Sequence, residues 1–372
     1  MIELVITILV AIICAYGVVK LHAMYRKTDD MKYIVFLSVV LLIFTDTWIS
    51  FYGANVKNFF TQYRFLFTFI PLVIYFLYSY LDTKRRKEQK EKEKIKSAFK
   101  QYVMPAIIDE MLKDPAKLKL GGEKKNLTIL FSDIRGFTTI SEKLGPEKLV
   151  ELLNEYLTAM TDIVLENRGV VDKFIGDAIM AFWNAPLDDP KHTRQAVQSA
   201  IDMIKALKKC NKDWSARGFP EVKIGIGLNS GDVIVGNMGS EQRFDYTCLG
   251  DHVNLSARLE SSNKFYGTEI IISDNIYEQV KGHFIVRELD KVIVKGKTVP
   301  IIIHEVLLDY EHVEKWKNAL SMYRKKRFSN ALAVFESLPK DGPTKMYVGR
   351  CTEFMKNPPG DDWNGVHVMK SK

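Results

Sequence analysis

The chain of 372 residues is longer than one ordinary domain, and 47% of its residues are hydrophobic, with the apolar runs crowded toward the N-terminus. Much of the net charge of +8 comes from a basic run at 84–96, which beside apolar segments is typical of contact with anionic lipid; no aromatic-plus-basic motif follows it, which argues against a nucleic-acid partner. Neither a disulfide framework nor a zinc site is indicated, because the cysteines show no paired spacing: Cys14, Cys210, Cys248 and Cys351.

Three apolar stretches near the N-terminus are each close to the roughly 20 residues that a helix needs to cross a bilayer. They run over Ile2–Leu21, Tyr33–Tyr52 and Phe65–Leu81. Basic residues are sparse only in the second loop, so the positive-inside rule puts the N-terminus outside. The pattern predicts a three-helix anchor over 1–83 in the cell (inner) membrane, with the lipid bilayer as a partner and everything after Leu81 in the cytoplasm. A cleaved signal peptide is the weaker alternative for the first stretch.

The segment 84–120 is charged and carries apolar residues at mixed three- and four-residue steps, which favours a short dimeric coiled-coil linker. Pro105 should break or kink it. The pair Gly121-Gly122 marks the start of the next domain, which we place at 121–308.

Within that domain, strand-like and helix-like patterns alternate, which predicts an α+β sandwich of helices against a mostly antiparallel sheet. The segment KIGIGLNSGDVIVGNMG is interpreted as two strands joined by a turn at Asn229–Gly231. After it, 309–372 shows the spacing of a tetratricopeptide-like helix pair, which could not bury both faces alone and should dock on the 121–308 domain or on its dimer mate.

Two aspartates stand at predicted strand ends, Asp133 in FSDIRGFT and Asp177 in DKFIGDA. Hard divalent cations prefer carboxylate oxygens, and two of these aimed at one point can hold a metal pair that clamps a phosphate. Either aspartate alone would more often be a cap or a turn former.

Two further patterns accompany the aspartates. The turn that runs from Ile134 to Phe137 and Thr138 can direct backbone amides toward a triphosphate, although a plain strand-to-helix turn would have the same sequence. Asn254 and Arg258 are four residues apart, hence on one helical face, where they could hold a ribose and neutralise a phosphoryl group. A solvated polar face remains equally compatible with that spacing.

Four ordered motifs, FSDIRGFT, VDKFIGDA, the run Tyr246–Arg258 and VKGK at Val294–Lys297, together resemble the class III nucleotidyl cyclases. The resemblance implies a ferredoxin-like catalytic fold that works as a head-to-tail homodimer with its sites at the interface. It also implies a role for each motif residue: Asp133 and Asp177 as ligands of two Mg²⁺ or Mn²⁺, the Ile134 carbonyl as a further ligand, Asn254 and Arg258 of the partner chain as transition-state stabilisers, and Lys295 and Arg243 as phosphate contacts.

Substrate choice in this family depends on two positions, which here are Lys173 and Thr247. A lysine can donate to N1 of adenine, and a threonine hydroxyl can accept from the adenine amino group. The pair resembles the adenylyl cyclases of subclass b, which are often stimulated by bicarbonate, so ATP is the expected substrate and bicarbonate a candidate effector. A guanylyl cyclase and a catalytically silent dimerisation module are the alternatives; the first lacks support at Lys173 and Thr247, and the second should have lost a catalytic residue.

Overall fold

The computed structural model describes residues 76–77, 79–90, 93, 120–240, 242–294 and 298–369. The chain divides into two compact units, Met1–Phe99 and Lys100–Lys372. In the first unit, residues 79–90 are helical and most of their basic side chains are exposed. Arg86 forms an ion pair with Asp82 at 3.1 Å, one helical turn away. The rest of the predicted coiled-coil linker, apart from residues 93 and 120, lies outside the described residues, and so does Pro105.

The predicted membrane location needs correction. Among the residues that the structure describes, no helix is both long enough and apolar enough to cross a bilayer. The predicted spans Ile2–Leu21 and Tyr33–Tyr52, and most of Phe65–Leu81, lie outside those residues. The prediction of an inner-membrane protein is wrong on this finding, because it depended only on the length and apolar character of single stretches and on the basic residues beside them.

In the second unit, the strands form one mixed sheet of nine strands in the order β2-β3-β1-β4-β6-β8-β7-β9, with β5 paired to β4. All pairings are antiparallel except β4 with β6 and β7 with β9. The strands are β1 (Gly121–Ile134), β2 (Val170–Ile175), β3 (Ala178–Trp183), β4 (Ile224–Gly239), β5 (Phe244–Leu249), β6 (Ile270–Ser273), β7 (Ile285–Ile293), β8 (Ile301–Leu307) and β9 (Val366–Val368). This architecture confirms the predicted α+β class.

The described helices of this unit follow the apolar periodicity of the sequence. They are α1 (Phe137–Lys143), α2 (Pro146–Glu166), α3 (His192–Ala216), α4 (Asp251–Tyr266), α5 (Asp274–Val280), α6 (Val313–Arg324), α7 (Phe328–Glu336) and α8 (Gly342–Lys356). Apolar residues of α2, α3 and α5 pack against one face of the sheet. Apolar residues of α4 lie against the other face, so that the sheet is covered on both sides.

The predicted turn at Asn229–Gly231 does not form, because β4 is one continuous strand of 16 residues. Antiparallel pairing with β1 runs unbroken from Gly121↔Asn237 to Ile134↔Ile224. Asn229 donates a side-chain hydrogen bond of 3.0 Å to the carbonyl of His252 in α4. A sequence that usually marks a turn therefore serves a helix contact here, since the long partner strand holds the backbone extended.

Helix α4 approaches β4 closely because glycines face it. A side chain at Gly227 would overlap the α4 backbone at Glu260, and one at Gly225 would overlap the guanidinium of Arg135. The small residues bring α4 down onto the sheet. They thereby set the position of the polar residues on its surface.

The C-terminal helices α6, α7 and α8 share an aromatic core, and α6 and α8 contact β7 through buried polar groups. Trp316 Nε1 donates to the carbonyl of Glu288 at 2.6 Å, and the Tyr347 hydroxyl donates to the carbonyl of Leu289 at 2.8 Å. Arg350 pairs with Asp290 at 2.7 Å, where the Asp290 side chain is 1% exposed. After α8, β9 adds to the edge of β7.

Replacing Arg350 with alanine should destabilise the protein, because it would leave the buried Asp290 carboxylate without its cation. Breaking a buried pair in this way costs about 3 kcal/mol or more. Urea unfolding followed by circular dichroism would measure the loss. Arg217→Ala is the matched control, because Arg217 pairs with Glu155 at the surface, and we expect it to cost much less. Equal losses for the two variants would contradict a structural role for the buried pair.

Candidate active site

The sheet brings the two predicted metal ligands together. Asp133 is the next-to-last residue of β1, and Asp177 lies in the short turn that joins β2 to β3. Because β3 pairs with β1 up to Ser132↔Ile179, this turn lies beside the end of β1. The backbone N–H of Ile134 donates to Asp177 Oδ2 at 3.1 Å. This hydrogen bond holds the Asp177 carboxylate against the backbone that directly follows Asp133.

The Asp133 and Asp177 carboxyl groups disfavour each other's ionisation. Burial, followed by the hydrogen bond and the charge of Asp133, raises the pKa of Asp177 to about 6. Two carboxyls in one partly buried site resist being ionised together unless a cation lies between them. No group of three or more His, Cys, Asp or Glu is arranged to hold a metal ion in the described ranges. Two carboxylates with the Ile134 carbonyl nearby fit Mg²⁺ or Mn²⁺, since such ions take their remaining ligands from water and phosphate.

The turn after Asp133 leads directly into α1. Gly136 takes a left-handed conformation with φ 68°, which a side chain would strain, and precedes the first helical residue. The side chain of Phe137 packs against the apolar core. Thr138 is exposed. Only backbone groups of Phe137 are thus available for a phosphate, whereas Thr138 could also offer its hydroxyl.

Arg135 connects this turn to α4, a contact that the motifs alone did not reveal. Its Nη1 lies 3.1 Å from Glu260 Oε1, and its Nη2 donates to the Glu260 carbonyl at 3.0 Å. Burial raises the pKa of Glu260 to about 7, against the opposing charge of Arg135. The sequence carried no local signal for this contact, because Arg135 and Glu260 are 125 residues apart.

Asn254 and Arg258 lie on α4, as the spacing predicted. Asn254 is exposed. Arg258 is half-buried, and its Nη1 is enclosed yet has no hydrogen-bond partner in the part of the chain that the structure describes. An enclosed guanidinium N–H without an acceptor is costly, so this atom is well suited to receive an anionic ligand. The orphaned donor weighs against the interpretation of a merely solvated polar face.

The two predicted base-recognition residues, Lys173 and Thr247, come together although they are far apart in the sequence. Lys173 lies in β2 and Thr247 in β5. The residue before the lysine, Asp172, links them: its Oδ2 accepts a hydrogen bond from Thr247 Oγ1, and its Oδ1 lies 3.4 Å from Lys173 Nζ. The sequence did not predict a role for Asp172, because an acid beside a lysine in one strand has the same local pattern as a solvated pair.

The two predicted phosphate contacts are less closely tied to this site. Arg243 is exposed in the loop between β4 and β5, where its backbone N–H donates to Ser240. Lys295 lies outside the described residues.

Large apolar side chains are exposed around the base-recognition residues. Phe174 and Ile175, which directly follow Lys173, are 47% and 54% exposed. Ile234 and Leu249 face each other across β4 and β5 and are 43% and 57% exposed. Grouped exposed apolar residues of this kind are typical of protein interfaces.

Comparison with known proteins agrees with the motifs. The family model of the adenylate and guanylate cyclase catalytic domain matches residues 121–307. That range begins at the first residue of β1 and ends at the last residue of β8.

Similar proteins include several adenylate cyclases. Adenylate cyclase 1 of Rhizobium meliloti is 36% identical over 184 residues, which cover 50% of this chain and 28% of that protein. The adenylate cyclase of Anabaena cylindrica is 39% identical over 189 residues, or 49% of this chain and 37% of that protein. This chain thus spans well under half the length of these relatives. A solved bacterial light-regulated adenylyl cyclase has a TM-score of 0.51 at 27% identity, covering 66% of this chain and 68% of that one.

Proposed function

Because the chain belongs to the adenylate and guanylate cyclase catalytic domain family, we propose that it is an adenylyl cyclase that converts ATP to 3′,5′-cyclic AMP and pyrophosphate. The observation that carries this proposal is that one catalytic domain holds both an Asp133–Asp177 carboxylate pair suited to divalent cations and a Lys173–Thr247 pair, linked through Asp172, suited to adenine. The similarity to adenylate cyclases of other organisms supports the same substrate.

Asp133 and Asp177, with the carbonyl of Ile134, would hold two Mg²⁺ or Mn²⁺ against the triphosphate. When bound, the metals would lower the pKa of the ribose 3′ hydroxyl and neutralise charge on the phosphates. The chain contributes the rigid strand ends that keep the two carboxylates at one point. Arg135, held by Glu260, would orient the intervening turn.

We further propose that the enzyme is a homodimer with shared sites, in which Asn254 and Arg258 of one chain act on the nucleotide bound at the aspartates of its mate. The enclosed, unpartnered Nη1 of Arg258 supports this arrangement, since it requires an acceptor that the described part of its own chain does not supply. The exposed apolar residues around Lys173 and Thr247 would be covered at the same interface. Lys295 and Arg243 would contact the phosphates.

The direct test is an assay of purified protein with ATP or GTP and with Mg²⁺ or Mn²⁺, followed by chromatographic identification of the cyclic product. Cyclic AMP from ATP, with little cyclic GMP from GTP, is the expected result. Predominant cyclic GMP would favour the guanylyl cyclase alternative, and no product under any condition would favour a silent module. The assay should be repeated with added bicarbonate, because the Lys173–Thr247 pair resembles the subclass of adenylyl cyclases that bicarbonate often stimulates.

Exchanging the base-recognition residues should change the preferred nucleotide. In the variant Lys173→Glu with Thr247→Cys, we expect kcat/KM for ATP to fall about 100-fold, because the donor for adenine N1 is lost and an acceptor takes its place. Turnover of GTP should become detectable. Thermal unfolding must accompany the assay, since the new carboxylate would lie beside Asp172.

Lys205→Glu is the matched control, because it makes the same charge change at an exposed position of α3. We expect it to leave both nucleotide preferences unchanged. An unchanged ATP preference in the double variant would mean that the enzyme recognises adenine through other residues.

A further inference from the structure

The carboxylate that links Lys173 to Thr247 has an unusual position. The Asp172 side chain has no exposed surface. It nevertheless lies between two residues whose proposed task is to contact a nucleotide base. Its Oδ2 accepts the hydrogen bond from Thr247 Oγ1, whereas its Oδ1 has no hydrogen-bond partner among the described residues and lies 3.4 Å from the Lys173 ammonium.

The hydrogen bond from Thr247 constrains what its hydroxyl can offer to a ligand. A hydroxyl has one proton and two lone pairs, and an ionised carboxylate can only accept. While the Thr247 hydroxyl donates its hydrogen bond to Asp172, the Thr247 oxygen can present only lone pairs to a ligand. Adenine carries a 6-amino donor, which such an oxygen can bind, whereas guanine carries a 6-carbonyl acceptor, which it repels.

We propose that Asp172 is a specificity-determining positioning residue, which locks the Thr247 hydroxyl as an acceptor and so makes the site require a 6-amino purine. The inference rests on the proposed adenylyl cyclase function and adds to it a residue outside the pair implied by the family resemblance. Asp172 acts through Thr247 and does not itself touch the base.

The same two neighbours oppose protonation of Asp172. Burial raises the pKa of the Asp172 carboxyl above its usual value, and the charge of Asp245 adds to this rise, whereas the Thr247 hydroxyl and the Lys173 ammonium act in the opposite direction and favour the accepting, ionised form. Lys173 has three N–H donors, so it can face Asp172 Oδ1 and still offer a proton to N1 of adenine. One buried carboxylate thus orients both base-recognition side chains.

The experiment combines a change in the enzyme with a change in the substrate. Asp172→Asn can donate its amide to Thr247 and free the threonine proton, so the hydroxyl need no longer be an acceptor. The test substrates are ATP and purine riboside triphosphate, which lacks the 6-amino group. We expect kcat/KM for ATP to fall about tenfold and that for purine riboside triphosphate to change less than about twofold. The ratio of kcat/KM for ATP to kcat/KM for GTP should also fall.

Asp188→Asn is the matched control, since Asp188 is an exposed surface residue paired with Lys125, and it should change neither ratio. Thermal unfolding shows whether each variant folds. If Asp172→Asn does not fold, Asp172→Leu replaces the buried carboxylate by an apolar group of similar size and should narrow the same ratios. Equal losses on ATP and purine riboside triphosphate would overturn the inference, because a structural role for Asp172 would not depend on the 6-amino group. Absence of cyclic AMP from the wild-type protein would instead refute the proposed function.

Discussion

Replacing either Asp133 or Asp177 with asparagine is expected to lower kcat by about three orders of magnitude or more, which corresponds to roughly 4 kcal/mol of lost transition-state stabilisation. An asparagine keeps the shape of the side chain but removes the negative charge that would hold a divalent cation. The loss of kcat should persist at saturating ATP and at high Mg²⁺ or Mn²⁺, because the substitution removes a negative charge beside the reacting phosphate, which added ligand does not replace.

The same variants should not lose stability. In the wild-type protein burial and, after it, Asp133 raise the pKa of Asp177, so the two carboxyls repel each other in the folded state when both are ionised. Removing one charge relieves that repulsion, so the melting temperature without metal should stay the same or rise. Asp162→Asn, at an exposed position of α2, is the matched control and should retain full activity. Substantial turnover by either Asp133→Asn or Asp177→Asn would contradict the two-metal proposal.

Co-expression of Asp133→Asn with Arg258→Ala should restore activity that neither variant has alone. In a mixed dimer one site collects both lesions, while the other takes its aspartates and its arginine from undamaged halves. Random pairing makes half of the dimers mixed, and each of these has one intact site of two. The ceiling is therefore about one quarter of wild-type activity.

Two other pairings provide the controls. Asp133→Asn with Asp177→Asn should not recover activity, because both lesions affect the same half of the site and every dimer then carries a lesion in each site. Asn254→Ala with Arg258→Ala should fail for the same reason. If differently tagged Asp133→Asn and Arg258→Ala chains co-purify as mixed dimers but remain inactive, the two roles belong to one chain and the shared-site proposal is wrong.

The sequence predicted the sites that depend on local backbone geometry. Asp133 and Asp177 were recognisable because each stands where a strand ends at a glycine-containing turn, and such turns leave short contiguous motifs. Asn254 and Arg258 were placed on one helical face by a four-residue spacing, and α4 confirms that they lie on one helix. The family prediction was confirmed for the same reason, since its motifs are local strings in a set order.

Contacts between distant strands and helices were not predictable from those strings. Asp172 and Thr247 are 75 residues apart and meet through the pairing of β2, β3, β1, β4 and β5. In one strand, an acid beside a lysine is indistinguishable from an ordinary solvated pair. The link from Arg135 to Glu260 likewise depends on how closely α4 approaches β4, which no local pattern encodes.

Two errors have the same origin in local interpretation. Asn229–Gly231 has the composition of a turn, yet pairing with all of β1 keeps it extended, because the ladder hydrogen bonds of a long partner strand outweigh a weak local preference. The predicted membrane spans depended on hydropathy within single stretches, and no helix of the described residues meets the length and hydropathy needed for a crossing. The sequence by itself therefore determined the residues of each local motif. The partners of those residues, including the hydrogen bond from Thr247 to Asp172, were decided by the register of the folded sheet.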